Sequence, residues 1–557
     1  MPRKIIAFAF FTVLFAAHTI AALPWNRLVP AVSVNENNEV VVVWETVNPT
    51  ARAAVFYAPE DGSYRQPFPH YYLRATEPSV GRSHSIVLPN IEPGLLYNFR
   101  AACFDTTNLA EVRSTNYTFR VLQRNGRLEL GIVLVEGPLV ANGTTSNTVV
   151  AWKTNLPSDG EVRYWDGKSK TPTAVKAPKA TTSFEVLLSN LSPDRQYFYQ
   201  VLSTSSALRD SLTSPVYSFH TAPDARQAGT FKFVVYGDSR GGREPDVDHR
   251  LNGVNYLVLN RLVNLAHTSG ARFILQTGDL IGGDTPDRED GILQYETHKK
   301  AIARVNAFIP FYHSVGNHDA RTPHVKFGRR GLYDPPSPNS AEELWAEMLV
   351  LPTNGPQPEE GHPPYRENVY AFDYGPVHFV ALNTDYFFVR HDSVKYKYDG
   401  FENRIAGRQR AWLIEDLKKA GDKLKVVYFH ASPYPAGGHV GSALDQFPAE
   451  RDSLWKIFEA YGVDLVFAGH EHNYSRVKVD STINPSFRRT IYQIITGGAG
   501  APTYAQDTTV AYLDNVVVFK RAYHYVLVTV DGKKIRVEAF NDSNEKFDEL
   551  VIDTARR

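Results

Sequence analysis

A single cysteine, Cys103, stands in 557 residues, so no intrachain disulfide can form and the fold must be held by its cores. The apolar stretch around Cys103 predicts a buried strand residue rather than a nucleophile. Charge of one sign is also missing: Lys plus Arg total 60 and Asp plus Glu total 60. A nucleic-acid polymer is therefore not an expected partner, because counterion-releasing binding needs a concentrated basic face. Small anionic substrates attracted by a local metal charge remain open. Long apolar runs are lacking beyond the N-terminus. Ile5 to Ala17 is nearly unbroken, preceded by Arg3 and Lys4 and followed by Ala21 and Ala22. It falls short of the about 20 residues that span a bilayer and has the order of a secretory signal. The expectation is a leader over residues 1–22, a secreted or periplasmic protein, and no stable membrane anchor.

What is present begins with a repeat. Val41-Val42-Val43-Trp44-Glu45-Thr46 recurs as Val149-Val150-Ala151-Trp152-Lys153-Thr154. Ile91 to Phe99 recurs as Leu191 to Tyr199, and Tyr117-Thr118-Phe119 as Tyr217-Ser218-Phe219, both at an offset of 100 residues. Each copy has short alternating strands, a Trp in an early strand and a Tyr after a turn. That pattern predicts a β-sandwich in which the Trp fills the core and the Tyr pins a corner. Both copies resemble fibronectin type III domains, placed at residues 23–122 and 127–223. Trp44 and Trp152 could serve as carbohydrate platforms, but their apolar strand context predicts core packing.

From Thr230 the texture changes. Short apolar runs alternate with amphipathic stretches such as Tyr256 to Ala266 and Arg408 to Lys419, as in strands buried on both faces with helices between them. Residues 230–557 are enough for a two-sheet α/β domain. Five apolar runs end in polar residues: Phe231 to Tyr236 in Gly237-Asp238-Ser239-Arg240, Arg272 to Thr277 in Gly278-Asp279, Phe311 to Val315 in Gly316-Asn317-His318-Asp319, Lys425 to Phe429 in His430, and Val463 to Ala468 in Gly469-His470-Glu471-His472. In open α/β sheets, binding residues gather outside the carboxyl ends of the strands. Carboxylates, an amide oxygen and imidazoles together suit borderline divalent ions such as zinc, manganese or iron.

In that order the five segments resemble the calcineurin-like metallophosphoesterase superfamily, and within it the purple acid phosphatase branch. His430-Ala431-Ser432-Pro433-Tyr434 followed by His439, and Asn473-Tyr474-Ser475-Arg476 after the last motif, carry the closer likeness over about residues 230–539. The resemblance implies two all-β sandwiches followed by an α/β domain with a two-sheet core flanked by helices. It implies a hydrolase of small phosphate esters with two metal ions. Asp279 would bridge them; Asn317, His430 and His470 would complete one site, and Asp238 and His472 would serve the other. His318 would face the leaving group with Asp319 orienting its imidazole, and His439 would contact the phosphate. Arg476 would either bind phosphate or buttress the histidine loop. A monoesterase is expected, with a phosphodiesterase or nucleotide hydrolase as the alternative. An adhesion or glycan-binding protein with a decayed metal domain is the alternative of another class.

Two positions depart from that family pattern, and both touch one ion. Arg240 stands where many members have a His, and Gly282 where the purple branch has a Tyr ligand. Arg240 is expected either to pair with a phosphate oxygen, its fork suiting that role, while water or Asp284 completes the coordination, or to replace the ion electrostatically.

Overall fold

The computed structural model describes residues 28–556 except 62–67, 79, 107–110, 170, 227–228, 242–249, 284, 286, 321–339, 360–363 and 387–402. Residues 1–22, where a leader is expected, and Asp284 lie outside the described residues. Two all-β units come first. Each is organised by one long strand, Val40–Pro59 or Thr148–Asp166. The first half of Thr148–Asp166 pairs with Leu134–Ala141 and Thr181–Leu188, and its second half with Thr173–Lys176 and Gln196–Ser205. The strand changes partners where register breaks between Lys153 and Ser158, around Pro157, which cannot donate to a ladder. Val40–Pro59 breaks likewise between Glu45 and Thr50, beside Pro49. Even the bridging hydrogen bond repeats: Thr46 Oγ1 donates to Asn48 O and Thr154 Oγ1 to Leu156 O, both at 2.8 Å.

Trp44 and Trp152 are buried, and Trp152 stacks on Phe184 at 4.6 Å. Tyr97 OH accepts from Glu92 N and Tyr197 OH from Ser192 N, both at 2.9 Å, so each tyrosine pins its corner as the repeat predicts. Cys103 is buried in the first core. One boundary is corrected. Arg127–Leu130 pairs with Tyr117–Arg124, and its leucines pack on the first core, so this strand belongs to the first unit rather than the second.

The rest is an α/β unit with two stacked sheets. The first has the order 311–313, 274–276, 231–236, 524–531, 534–541, 546–553, its first three strands parallel. The second has the order 370–374, 377–381, 424–429, 465–468, 491–496, 474–479, 516–520, with four consecutive parallel strands from 377–381 to 491–496. Their facing sides form one core, where Phe233 and Phe273 stack at 5.2 Å and both meet Phe379 edge-on. Helices Tyr256–Thr268 and Arg288–Asn306 cover the outer side of the first sheet, burying Leu259, Leu262 and Ile302. Helices Gly407–Lys419 and Pro448–Ala460 cover the second through Leu413, Leu417 and Trp455. No helix among the described residues is long and apolar enough to cross a membrane.

Helix Arg288–Asn306 also joins the units. Lys299 Nζ pairs with Glu136 of the second all-β unit at 2.7 Å, and Lys300 Nζ donates to Thr115 Oγ1 of the first at 2.9 Å. Tyr199 OH donates to Ala307 O at 2.7 Å.

Candidate metal centre

The five polar strand ends converge. Asp238, Asp279, Asn317, His430, His470 and His472 follow parallel strands of both sheets, at their carboxyl ends, and all six are buried. Asp238, Asp279 and His470 have positive φ of 60°, 53° and 70°, a conformation that costs a non-glycine residue free energy and is kept where surroundings impose it. The glycines before them give room for close approach. A Cβ on Gly469 would lie 2.6 Å from the Asp238 carboxylate, and one on Gly278 would lie 2.6 Å from His430 Nδ1.

His430 Nε2 is the hub of one half. It lies 2.9 Å from Asn317 Oδ1, 3.2 Å from His470 Nδ1 and 3.3 Å from Asp279 Oδ1. Around an ion with bonds of about 2.0–2.1 Å, tetrahedral ligands stand about 3.3–3.4 Å apart. The spacing therefore suits a single transition ion. Backbone carbonyls fix the imidazoles so that their remaining lone pairs point inward: Thr277 O holds His430 Nδ1 at 2.8 Å, Ser442 O holds His470 Nε2 at 3.3 Å, and Pro502 O holds His472 Nδ1 at 2.8 Å.

The other half is built differently. Asp238 Oδ1 lies 3.5 Å from His472 Nε2, and the Asp238 carboxylate accepts His470 N–H at 3.1 Å. Asp238, Asp279 and His430 present ligand atoms within 4.8 Å of one another. Arg240 enters this half: Nε donates to Asp279 Oδ2 at 3.1 Å and Nη2 reaches His472 Nε2 at 3.2 Å.

Ionisation follows the geometry. Burial pushes the Asp238 carboxyl up to about 7, with the Asp279 charge adding and His430 and Arg240 opposing. Burial raises Asp279 too, but His430, His318 and Arg240 outweigh it and hold this carboxylate ionised. Burial would lower His430, yet Asp279 and Asp238 turn the net shift upward. Burial and neighbouring imidazoles, or Arg240, keep His470 and His472 neutral. Clustered opposing shifts of this kind recur at functional sites and in structural ion-pair networks alike.

The flanking residues divide. His318 stands beside the cluster, its Nε2 4.0 Å from Asp279 Oδ2. Its ring is oriented by Gly282 O, 2.6 Å from Nδ1, and not by Asp319. Asp319 instead accepts from Gly316 N at 3.0 Å and Leu280 N at 3.3 Å, tying together the loops that carry Asn317 and Asp279. His439 lies on His470 and near His472. Arg476 is not brought to the cluster. Its Nε and Nη2 both reach Asp548 at 2.9 Å, so its fork is committed to a carboxylate of the strand Lys546–Asp553 rather than offered to a phosphate.

Two residues escaped the sequence reading. Glu471 accepts the His439 N–H at 2.8 Å and so shapes the loop before it. Tyr504 stacks on His472 at 4.2 Å and meets His439 edge-on at 5.3 Å. Glu471 sits inside the Gly-His-x-His motif and pointed to itself by position; Tyr504 lies in a loop without any motif.

Comparison with known proteins agrees with this architecture. Residues 231–474 match the calcineurin-like phosphoesterase family, and residues 137–221 match the purple acid phosphatase N-terminal domain. Purple acid phosphatase 23 of Arabidopsis thaliana is 24% identical over 331 residues, 58% of this chain and 60% of that protein. Nucleotide pyrophosphatase/phosphodiesterase of Hordeum vulgare is 23% identical over 310 residues, 53% of this chain and 75% of that protein. The alignments with the first relatives span about three fifths of those proteins' length. Purple acid phosphatase PPD1 from yellow lupin (Lupinus luteus) seeds shares the fold with a TM-score of 0.60, at 15% identity over 94% of both chains.

Proposed function

We propose, from the premise that this chain is a calcineurin-like phosphoesterase behind a purple acid phosphatase N-terminal domain, that it is an exported, metal-dependent hydrolase of phosphate monoesters. The observation that carries the reading is the convergence of Asn317 Oδ1, His470 Nδ1 and Asp279 Oδ1 within 2.9–3.3 Å of His430 Nε2, four buried donor atoms close enough together for one transition ion. Asp279, Asn317, His430 and His470 would hold a zinc, manganese or iron ion, and Asp238 and His472 flank it. Such an ion polarises the phosphoryl group and supplies a nucleophile from water at neutral pH.

The chain's own residues do the rest. Gly282 O keeps a proton on His318 Nδ1, so a second proton is carried on Nε2, the atom turned to the cluster. From there it can pass to the departing alkoxide, a contribution of typically ~10²–10⁴-fold. Arg240 spends Nε and one Nη2 hydrogen on Asp279 and His472, and Nη1 remains to meet a phosphoryl oxygen. His439, its Nδ1 3.2 Å from Ser442 Oγ, offers Nε2 to another oxygen. Export is supported by the N-terminal segment alone.

Hydrolysis of nitrophenyl phosphate and of its bis ester, before and after chelation, tests the reading. Metal-dependent turnover of the monoester is expected, and clear preference for the diester would overturn the monoesterase. The barley relative's name makes nucleotide hydrolysis the alternative on the same site. A binding protein with a decayed centre is the other reading, favoured only by Arg240 among the ligands. It predicts less than one tightly held ion per chain and no esterase activity.

A further inference from the structure

We propose that the centre is mononuclear and that the Arg240 guanidinium is a fixed cation standing where a second ion would bind. The proposal rests on the metallophosphoesterase reading above and narrows it.

The groups that would serve a second ion are already engaged. Asp279 turns Oδ1 to His430, leaving Oδ2 as its second ligand atom, and Oδ2 accepts Arg240 Nε–H at 3.1 Å. Pro502 O commits His472 Nδ1 as the protonated nitrogen, so Nε2 carries the lone pair, and that lone pair meets Arg240 Nη2 at 3.2 Å. Asp238 Oδ1 lies 3.5 Å from the same Nε2. One guanidinium thus engages two of the three groups of the second half, Asp279 and His472, and the third, Asp238, lies beside His472. Asp238 and Asp279 together carry at most two negative charges, which one divalent ion and one guanidinium exceed. The site keeps a positive surplus for a phosphate without a second ion.

Arg240 is not placed there by a free loop. Its N–H donates to Asp279 O at 3.2 Å, and it forms a β-bridge with Val254. Gly241 N donates to Gly253 O at 2.9 Å and Asn255 N to Ser239 O at 3.0 Å. The same bridge accounts for the other departure. A Cβ on Gly282 would lie 3.1 Å from both Gly241 O and Gly253 Cα, tighter than ordinary van der Waals contact. The segment that brings Arg240 in also fills the space that a side chain at position 282 needs. Arg240 and Gly282 are therefore one structural change.

The test counts ions. Protein stripped by chelation is reloaded with Mn(II), desalted, and assayed by plasma mass spectrometry and electron paramagnetic resonance. One ion per chain with an uncoupled six-line spectrum is expected for wild type. Arg240→His is expected to bind two ions and to show exchange coupling between them. Two ions in wild type would overturn the proposal and leave the metallophosphoesterase reading intact; none would overturn both. A folded Arg240→His still holding one ion would also overturn it, with folding checked by its thermal melt. Arg240→Ala, which opens the same space without adding an imidazole, is expected to take up a second Mn(II) at higher concentration than Arg240→His.

Discussion

His439 lies flat on His470, their ring centroids 3.8 Å apart and their planes 25° from parallel. The contact couples a proposed phosphate-binding imidazole to a proposed metal ligand. Burial pushes His439 down to about 4, with the His430 charge adding, so the ring is neutral from pH 5 upward and binds as a hydrogen-bond donor rather than as a cation. His439→Phe keeps the stack and removes the donor. It should lower kcat/KM by about 10²-fold, the usual cost of losing one such donor, at unchanged metal content. His439→Ala should in addition weaken metal binding about 10-fold, the lower end for loss of a supporting contact. Equal metal affinity in both variants would show that the stack does not support His470.

Arg476 makes the opposite case, a residue close to a motif in sequence whose work lies elsewhere. Asp548, on the strand Lys546–Asp553, receives both Arg476 and Tyr474 OH, and Arg476 and Asp548 are largely buried. Asp548→Ala should destabilise the protein by about 3 kcal/mol, since breaking a buried pair leaves a charge without a partner. KM for nitrophenyl phosphate should stay within about twofold. A raised KM at an unchanged melting temperature would return Arg476 to the substrate.

The contrast between these residues shows what the chain discloses before folding. Asp238, Asp279, Asn317, His430 and His470 were legible because each follows an apolar run, His430 directly and the others after one glycine, and strand ends in a parallel sheet share one side. The tyrosine corners at Tyr97 and Tyr197 were legible because the repeat placed two turns in the same context. The carbonyls of Thr277, Ser442, Pro502 and Gly282 were not, since every residue has a carbonyl and only tertiary structure aims it. Asp319 was misassigned for a related reason. The resemblance gave Asp319 the task of orienting His318, whereas a carboxylate at a tight turn is drawn to the N–H groups of Gly316 and Leu280. Arg127–Leu130 went to the wrong unit because a short strand joins whichever edge the turn at Asn125-Gly126 offers it.

The docking of the second all-β unit can be probed at Glu136. Its carboxylate meets Lys299 at 2.7 Å and Lys153 at 3.5 Å, while Lys299 also donates to Met348 O at 3.0 Å. Glu136→Gln leaves a largely buried ammonium with neutral acceptors only and no counter-charge. A loss of about 2 kcal/mol in urea unfolding is expected, below the range for a fully buried pair because Glu136 is partly exposed and Lys299 keeps one partner. Faster proteolysis between the units would accompany it. An unchanged unfolding midpoint would mean that the apolar contacts around Tyr217 and Phe308 carry the docking.

A pH dependence remote from the centre should come from His378. Burial alone would lower this imidazole, but hydrogen bonds from its two nitrogens to Asp373 at 2.8 Å and Asp416 at 2.7 Å reverse the effect, and its net shift is upward from 6.5. A group whose folded pKa is raised binds its proton more tightly in the folded state. Its stabilisation is complete below the unfolded value of about 6.5 and is lost as pH rises through the folded one. Thermal midpoints measured from pH 5.5 to 9 should therefore fall more steeply for wild type than for His378→Gln, with the two curves drawing together above the folded pKa. The Asp416 carboxylate ties strand Val377–Ala381 to helix Gly407–Lys419, so Asp416→Asn should flatten the same interval. Parallel curves for wild type and His378→Gln would show that the imidazole does not change charge there on unfolding.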